Sequence, residues 1–386
     1  MKRFLLALTV LVIGGGDAWA AAPAWSADSL AKLRLWAAAA PADALPSVDE
    51  APLKRALAAS DPVAVDAAAS ALALKLARMH LLGSAAASER KGWHIADPDG
   101  QIDLAARLQS ALAEGRLDEF FMALRPQHPD YALLRAAYRD EADPLRRQTI
   151  ARNMERWRWL PVSLGQDFLL VNAAAFEAAR WRGGQRIGSW RVIVGKPATP
   201  TPVFAATVTG VNFNPWWTVP GNIIRESVGS LIRRHPATAR ARGYVWGGGA
   251  VRQKPGPQNA LGQVKLVMPN GFSVYLHDTP NRELFDRPVR AFSHGCVRVG
   301  DALGLAASLL EGAQSRTQID ALVAAGQSVT VDLPRPIPVY VAYFTAGSRA
   351  DGSLALFDDL YRRDRALPAL AQAGRKGECA ATAPAG

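Results

Sequence analysis

The chain has 386 residues, 49% of them hydrophobic and 20% charged, enough apolar material for two or three domains with ordinary cores. The formal net charge is +11, and there are only two cysteines, Cys296 and Cys379. So few cysteines exclude a disulfide-stapled scaffold, and no Gly-rich phosphate-binding pattern follows a strand, which argues against a nucleotide-dependent enzyme.

Lys2 and Arg3, the apolar run Phe4 to Ile13 and the small-x-small triplet Ala18-Trp19-Ala20 predict a signal peptide over residues 1–20, cleaved near Ala20. The expectation is therefore a periplasmic protein. The apolar run is too short to cross a bilayer comfortably, so no stable membrane span should remain after cleavage. About +10 of the charge then belongs to the exported chain. A basic exported surface meets cell-wall polymers and anionic lipid, not nucleic acid; the competing reading is an Arg-rich composition that serves solubility.

Residues 21–150 read as an all-α domain. Ala27 to Leu82 is Ala- and Leu-rich and interrupted at Pro41, Pro46 and Pro62, which predicts several short helices. Leu104, Leu108 and Leu112 recur at helical spacing, Gly115 stops that helix, and Leu117, Phe120 and Leu124 continue the apolar face. After Pro126 and Pro129 a helix carries Tyr131, Leu134 and Tyr138, and a last one starts at Pro144 and runs through Ile150, Met154 and Trp157.

Beyond Pro161 the pattern turns to β: Phe168–Val171, Ser189–Val194, Thr207–Phe213, Gln263–Met268, Phe272–Leu276, Val329–Leu333 and Val339–Phe344. Asn270-Gly271 predicts a tight hairpin that would place Phe272, Val274 and Leu276 on one face and Ser273, Tyr275 and His277 on the other. Asp301 reads as the N-cap of a following helix. The fold class is thus α+β: the helical domain, then a mainly β, mixed-sheet domain over 151–345. Residues 346–386 form a C-terminal extension whose polar end, Gly374 to Gly386, reads as disordered. A bridge between Cys379 and Cys296 is accordingly disfavoured.

Chemistry concentrates at Ser293-His294-Gly295-Cys296-Val297-Arg298, with His277 upstream. Cysteine acyl transfer needs a thiol, an imidazole to take its proton, and backbone N–H groups for an oxyanion. Gly295 permits a sharp turn and close approach of a carbonyl. Cys296 is the candidate nucleophile and His277 the candidate base. A packed core cysteine or histidine is the bland alternative. Gly295 and Cys296 would supply the oxyanion amides, with Tyr275 as an extra donor, while Ser293 and His294 shape the loop. Arg298 either binds a substrate carboxylate, favours the thiolate or ties the loop to its sheet. Asn214, Trp216 and Trp217 are candidate substrate contacts, although aromatic pairs are commonly core. Trp157 and Trp159 should pack the helices on the β domain. His277, His294 and Cys296 lack a fourth ligand and the usual spacing for zinc, so no metal is expected. Ser88-Glu89-Arg90-Lys91 fits a Ser-x-x-Lys pattern, but no Lys-Thr-Gly or Ser-Asp-Asn accompanies it.

The stretches Tyr275-Leu276-His277-Asp278-Thr279-Pro280 and Phe292-Ser293-His294-Gly295-Cys296-Val297-Arg298-Val299 resemble the motif of the L,D-transpeptidases, the YkuD-type catalytic domains that remodel peptidoglycan. Asn153 to Pro161, Thr201-Pro202-Val203-Phe204, Asn214 to Pro220, Pro257 to Gly262, Pro338 to Thr345 and Asp351-Gly352 extend the resemblance to the large periplasmic branch, over roughly residues 100–365. The resemblance implies that residues 151–345 are the catalytic domain, that 222–250 form a lid insertion, and that His277 is oriented by a main-chain carbonyl. Gly247-Gly248-Gly249 reads as a loose loop in preference to a lid hinge. It implies peptidoglycan stem peptides as acyl donor and acceptor, carbapenem-type inhibitors, a thioester on Cys296 with loss of D-alanine, and no cofactor. The peptidoglycan-binding module usual in that branch has no room between Tyr138 and Asn153. An L,D-carboxypeptidase that hydrolyses stems or detaches wall-bound protein, and a non-catalytic wall-binding scaffold, remain alternatives.

Overall fold

The computed structural model describes residues 24–367. The expected signal peptide, Cys379 and the polar tail lie outside them. Helices α1 (Ala27–Ala39), α2 (Ala51–Ala58), α3 (Pro62–Leu82), α4 (Leu104–Ala113) and α5 (Leu117–Ala123) make up the first half. Ser26, Asp61 and Asp103 cap α1, α3 and α4 by accepting first-turn N–H groups. Pro62 does not break a helix but opens the 21-residue α3 at a position where its missing N–H costs nothing. These helices bury Leu33, Leu53, Leu76, Leu108, Leu117 and Phe121 in one core.

Helices α6 (Pro129–Asp140) and α7 (Pro144–Trp157) follow. Their residues Tyr131, Leu134, Tyr138, Ile150, Met154 and Trp157 belong to the core of the β domain. Apart from Ala44 and Ile95, which join the β-domain core, the change of core falls between Leu124 and Tyr131, ahead of the compositional change at Pro161. Nor is the first half purely helical. Its two-residue strand β1 (Trp93–His94) pairs parallel with Val203 and Phe204 at the edge of the main sheet.

The β domain contains β2 (Asp167–Asn172), β3 (Glu177–Arg182), β4 (Gln185–Gly195), β5 (Val203–Phe213), β6 (Trp217–Thr218), β7 (Tyr244–Gly247), β8 (Ala250–Gln253), β9 (Val264–Val267), β10 (Leu276–His277), β11 (Ala291–Ser293), β12 (Val297–Val299), β13 (Val329–Ala342), β14 (Ala346–Ser348) and β15 (Leu354–Leu356). The main sheet is mixed, in the order β1-β5-β13-β2-β3-β4-β12-β10-β9, and β9 pairs again with β5, so the sheet closes on itself. Inside sit Val211, Phe213, Val264, Leu266, Leu276, Val297 and Val299. A helix over Ala302–Leu309 plugs this core, with Asp301 as its N-cap.

Two strand expectations change. Val329–Leu333 and Val339–Phe344 are one strand, β13, whose register shifts between Asp332 and Ile337, where Pro334 and Pro336 offer no N–H to the ladder. Asn270-Gly271 does join two antiparallel strands, β9 and β10, but through a wide loop. The Asn270 side chain organises that loop, donating to the Met268 and Val274 carbonyls and accepting from the Phe272 and Val274 amides. Ser273 has φ +53°, which breaks the alternation, and Phe272 lies outside the strand, half exposed against His94 and Phe204.

Between Trp217 and Gln253 the chain forms a small subdomain from β6, helical segments between Gly221 and Ala241, and the β7–β8 hairpin. Its own core is Val219, Val228, Ala239 and Tyr244. Gly248 and Gly249, with φ +56° and +78°, make a two-residue turn between paired Gly247 and Ala250. The expected loose glycine loop is thus an ordered hairpin turn.

Candidate active site

Strands β10 and β12 run parallel, with Leu276 opposite Val297 and His277 opposite Arg298. One step back, the Val297 N–H donates to the Tyr275 carbonyl, which sets Tyr275 beside Cys296. His277 in turn faces Lys265 of β9, and Lys265 faces Asn212 of β5. Since Leu266, Leu276, Val297 and Val299 point inward, alternation puts Lys265, Tyr275, His277, Cys296 and Arg298 together on the outer face. Lys265 was not legible as a site residue. A single lysine in an apolar strand reveals its face, but not that β9 lies beside the histidine strand.

The loop carrying Cys296 is held by Ser293. Its Oγ accepts the Gly295 N–H at 3.0 Å and donates to the Cys296 carbonyl at 2.5 Å. Gly295 has φ +114°, a region that a side chain opposes. One of the two amides expected to hold an oxyanion is thus engaged within the loop. The Gly295 N–H is spent on Ser293, while the Cys296 N–H has no acceptor among the described residues. Thr201 adds a second tie, its Oγ1 donating to the Gly295 carbonyl at 2.9 Å.

His277 is buried, and its Nδ1–H donates to the Asp278 carbonyl at 2.5 Å. That bond leaves Nε2 as the proton acceptor. Burial, then the Arg298 charge, hold its pKa down at about 3 against the pull of the Asp278 carbonyl. The imidazole is therefore neutral at physiological pH. The Asp278 carboxylate is turned away, accepting the Gln263 N–H and pairing with Arg282. Cys296 is a free, half-buried thiol that meets the Ser273 carbonyl at 3.9 Å. It is not hydrogen-bonded to His277, as is common before substrate aligns the pair. Burial pushes the thiol pKa up; the Tyr275 N–H, Arg298 and Lys265 act the other way. Thiol and imidazole thus rest as a neutral pair.

Arg298 is half-buried and makes no hydrogen bond or ion pair with any described residue, so it does not tie the loop to its sheet. His294 points the other way. Its Nε2 meets Glu226 of the subdomain at 2.7 Å, and Lys196 joins both, at 3.3 Å from Glu226 and 3.4 Å from His294. This cluster fastens the subdomain to the cysteine loop. Asn214 is buried, donating to the Leu322, Val323 and Gln327 carbonyls. Trp217 packs on the subdomain core, and half-exposed Trp216 lies under Arg252. No group of three or more potential metal ligands occurs among the described residues.

Residues 166–329 match the family model of the L,D-transpeptidase catalytic domain, YkuD, and residues 19–137 match the scaffold domain model. A curated Haemophilus influenzae protein named "Putative L,D-transpeptidase" is 31% identical, aligned over 57% of this chain and 49% of its own length. The chain thus spans about half the length of that relative. Among solved structures, an L,D-transpeptidase from Mycobacterium smegmatis is 15% identical, with 46% of this chain and 58% of that one covered, at a TM-score of 0.26. L,D-transpeptidase 3 from Mycobacterium tuberculosis, in complex with a faropenem-derived adduct, is 16% identical over 46% and 60% of the two chains, at 0.24. Similarity at that level carries no argument about chemistry. What the comparisons support is the domain order: a match to the L,D-transpeptidase catalytic domain, YkuD, over residues 166–329, preceded by a match to the scaffold domain over residues 19–137.

Proposed function

We propose that this protein is an exported peptidoglycan L,D-transpeptidase that works through a thioester on Cys296. The supporting observation is a free thiol and a neutral, buried imidazole on one sheet face of paired strands, with the imidazole Nδ1 committed to a backbone carbonyl. His277 Nε2 takes the thiol proton as Sγ attacks the carbonyl of the L-centre of meso-diaminopimelate in a tetrapeptide stem. The oxyanion is held by the Cys296 N–H. Collapse expels D-alanine, its amine receiving the proton from His277, and leaves the thioester. An amine of a second stem attacks, His277 takes its proton, and the amide link between two diaminopimelate residues forms as the thiol is restored. Ping-pong kinetics follow. Export rests on the N-terminal sequence pattern; no described helix is long and apolar enough to cross a membrane.

The test is intact-mass analysis with meropenem on the full-length protein, Cys296→Ala and Cys379→Ala. A single adduct that disappears only in Cys296→Ala is expected, and His277→Ala should slow its formation about 10²–10⁴-fold. An adduct that persists in Cys296→Ala would overturn the assignment of the nucleophile. Product masses with defined stems then separate crosslinking from hydrolysis by an L,D-carboxypeptidase.

A further inference from the structure

Near Cys296 stand two cations without a counter-ion among the described residues. Lys265 makes no hydrogen bond or ion pair with any described residue, and its only close polar partner is the face of the Tyr275 ring, 3.9 Å from Nζ. Arg298 lacks even that contact. Both residues are half-buried, and burial pulls the pKa of each down. A desolvated, unpaired cation is costly. Two of them on one face, directly opposite His277 on the strands to either side, are a site whose partner arrives with the ligand.

We propose that Lys265 and Arg298 form a carboxylate-binding site beside the Cys296 thiol, so that the enzyme selects acyl donors bearing a free carboxylate next to the carbonyl that is attacked. A stem peptide offers two sources: the terminal D-alanine carboxylate, or the carboxylate at the far centre of diaminopimelate. The site also bears on proton transfer. Both cations oppose a positive charge on His277, so an arriving carboxylate makes His277 a better proton acceptor at the moment the thiol must ionise. The identity of the ligand rests on the transpeptidase reading; the existence of the site does not.

The experiment uses two small alkylating agents, anionic iodoacetate and neutral iodoacetamide. In each case the Cys296 thiolate forms the C–S bond and iodide leaves. Rates at Cys296 are read by peptide mass spectrometry on the full-length protein and compared with N-acetylcysteine. The iodoacetate-to-iodoacetamide rate ratio should exceed that of N-acetylcysteine by at least about tenfold at low salt and fall as salt rises. Lys265→Met and Arg298→Met should each lower it. A wild-type ratio equal to that of N-acetylcysteine overturns the site, and this arm needs neither variant to fold. Acylation by stems amidated at the terminal D-alanine or at the diaminopimelate side chain then identifies the source, since the amide that slows the reaction marks the bound carboxylate. If neither amide slows it, donor selection is overturned. If the ratio is high but no stem acylates the enzyme, the transpeptidase reading fails and the anion site stands.

Discussion

Two groups of charges in this molecule are treated in opposite ways. At the junction of the helices with the β domain, Asp43, Glu155 and Arg158 are fully buried and paired. Asp43 binds Arg125 and Arg135, and its carbonyl accepts from Arg158, which also meets the Tyr131 hydroxyl and Glu155. Glu155 further accepts the Ser84 and Ala85 amides at 2.8 Å and the Trp159 indole at 3.1 Å. Gly83 lets the chain pass over it: a Cβ there would lie 2.2 Å from Glu155 Oε1. Beside Cys296, by contrast, Lys265 and Arg298 have no counter-charge among the described residues. The first cluster spends its charges on holding two regions together. The second keeps them available, and the difference separates a joint from a binding face.

The largest test of that contrast is Glu155→Gln. It leaves Arg158 buried without its carboxylate, and the unfolding free energy should drop by about 3–5 kcal/mol, as read by equilibrium denaturation. Its alkylation ratio at Cys296 should stay unchanged. Lys265→Met should do the reverse, losing the ratio while stability holds within about 1 kcal/mol, since removing an unpaired desolvated cation relieves a cost. If both variants shift both readouts, the joint and the binding face are not separable. A smaller effect is expected from Ser293→Ala. It unties the Gly295 N–H and the Cys296 carbonyl at once, and acylation by meropenem should slow about 10–100-fold, about 1.4–2.7 kcal/mol in the barrier. A wild-type rate in Ser293→Ala would show that the loop keeps its shape without the clasp.

Local chemistry explains what could be read in advance. The helix start at Pro144 and the cap at Asp301 are short-range signals, and they appear where the sequence puts them. The expectation that Cys296 and His277 act together came through a motif and a resemblance. What stayed hidden depends on which strands are neighbours. Lys265 matters because β9 lies beside β10, and Glu226 because the subdomain folds back onto His294. Neither contact leaves a local mark. The Asn270-Gly271 turn shows the converse limit. A strong local hairpin signal gave the right strand pairing and the wrong loop, because the Asn270 side chain found four backbone partners that favour a wider turn.

The joint carries one further group that sets it apart from the binding face, His80. Both ring nitrogens are buried without partners, and the ring lies edge-on to Trp36 and beside Phe121. Burial, opposed by the nearby Asp43 charge, holds its pKa down at about 3. In the unfolded chain the pKa is about 6.5, so below that pH the unfolded state takes up a proton that the folded state refuses. The stability contributed by keeping His80 neutral is therefore present above about pH 6.5 and lost as pH falls toward 3, at up to about 1.4 kcal/mol per pH unit. His277 adds a second such group with the same window, on the binding face. His80→Phe places an apolar ring among aromatic neighbours, and at pH 7 its stability should lie within about 1 kcal/mol of wild type. Between pH 6 and 4 the fall in stability should be shallower by about 1.4 kcal/mol per unit, as measured by urea titration at each pH. An unchanged slope would mean that His80 is protonated in the folded protein, with Asp43 as its counter-ion, and the joint would then hold one more paired charge.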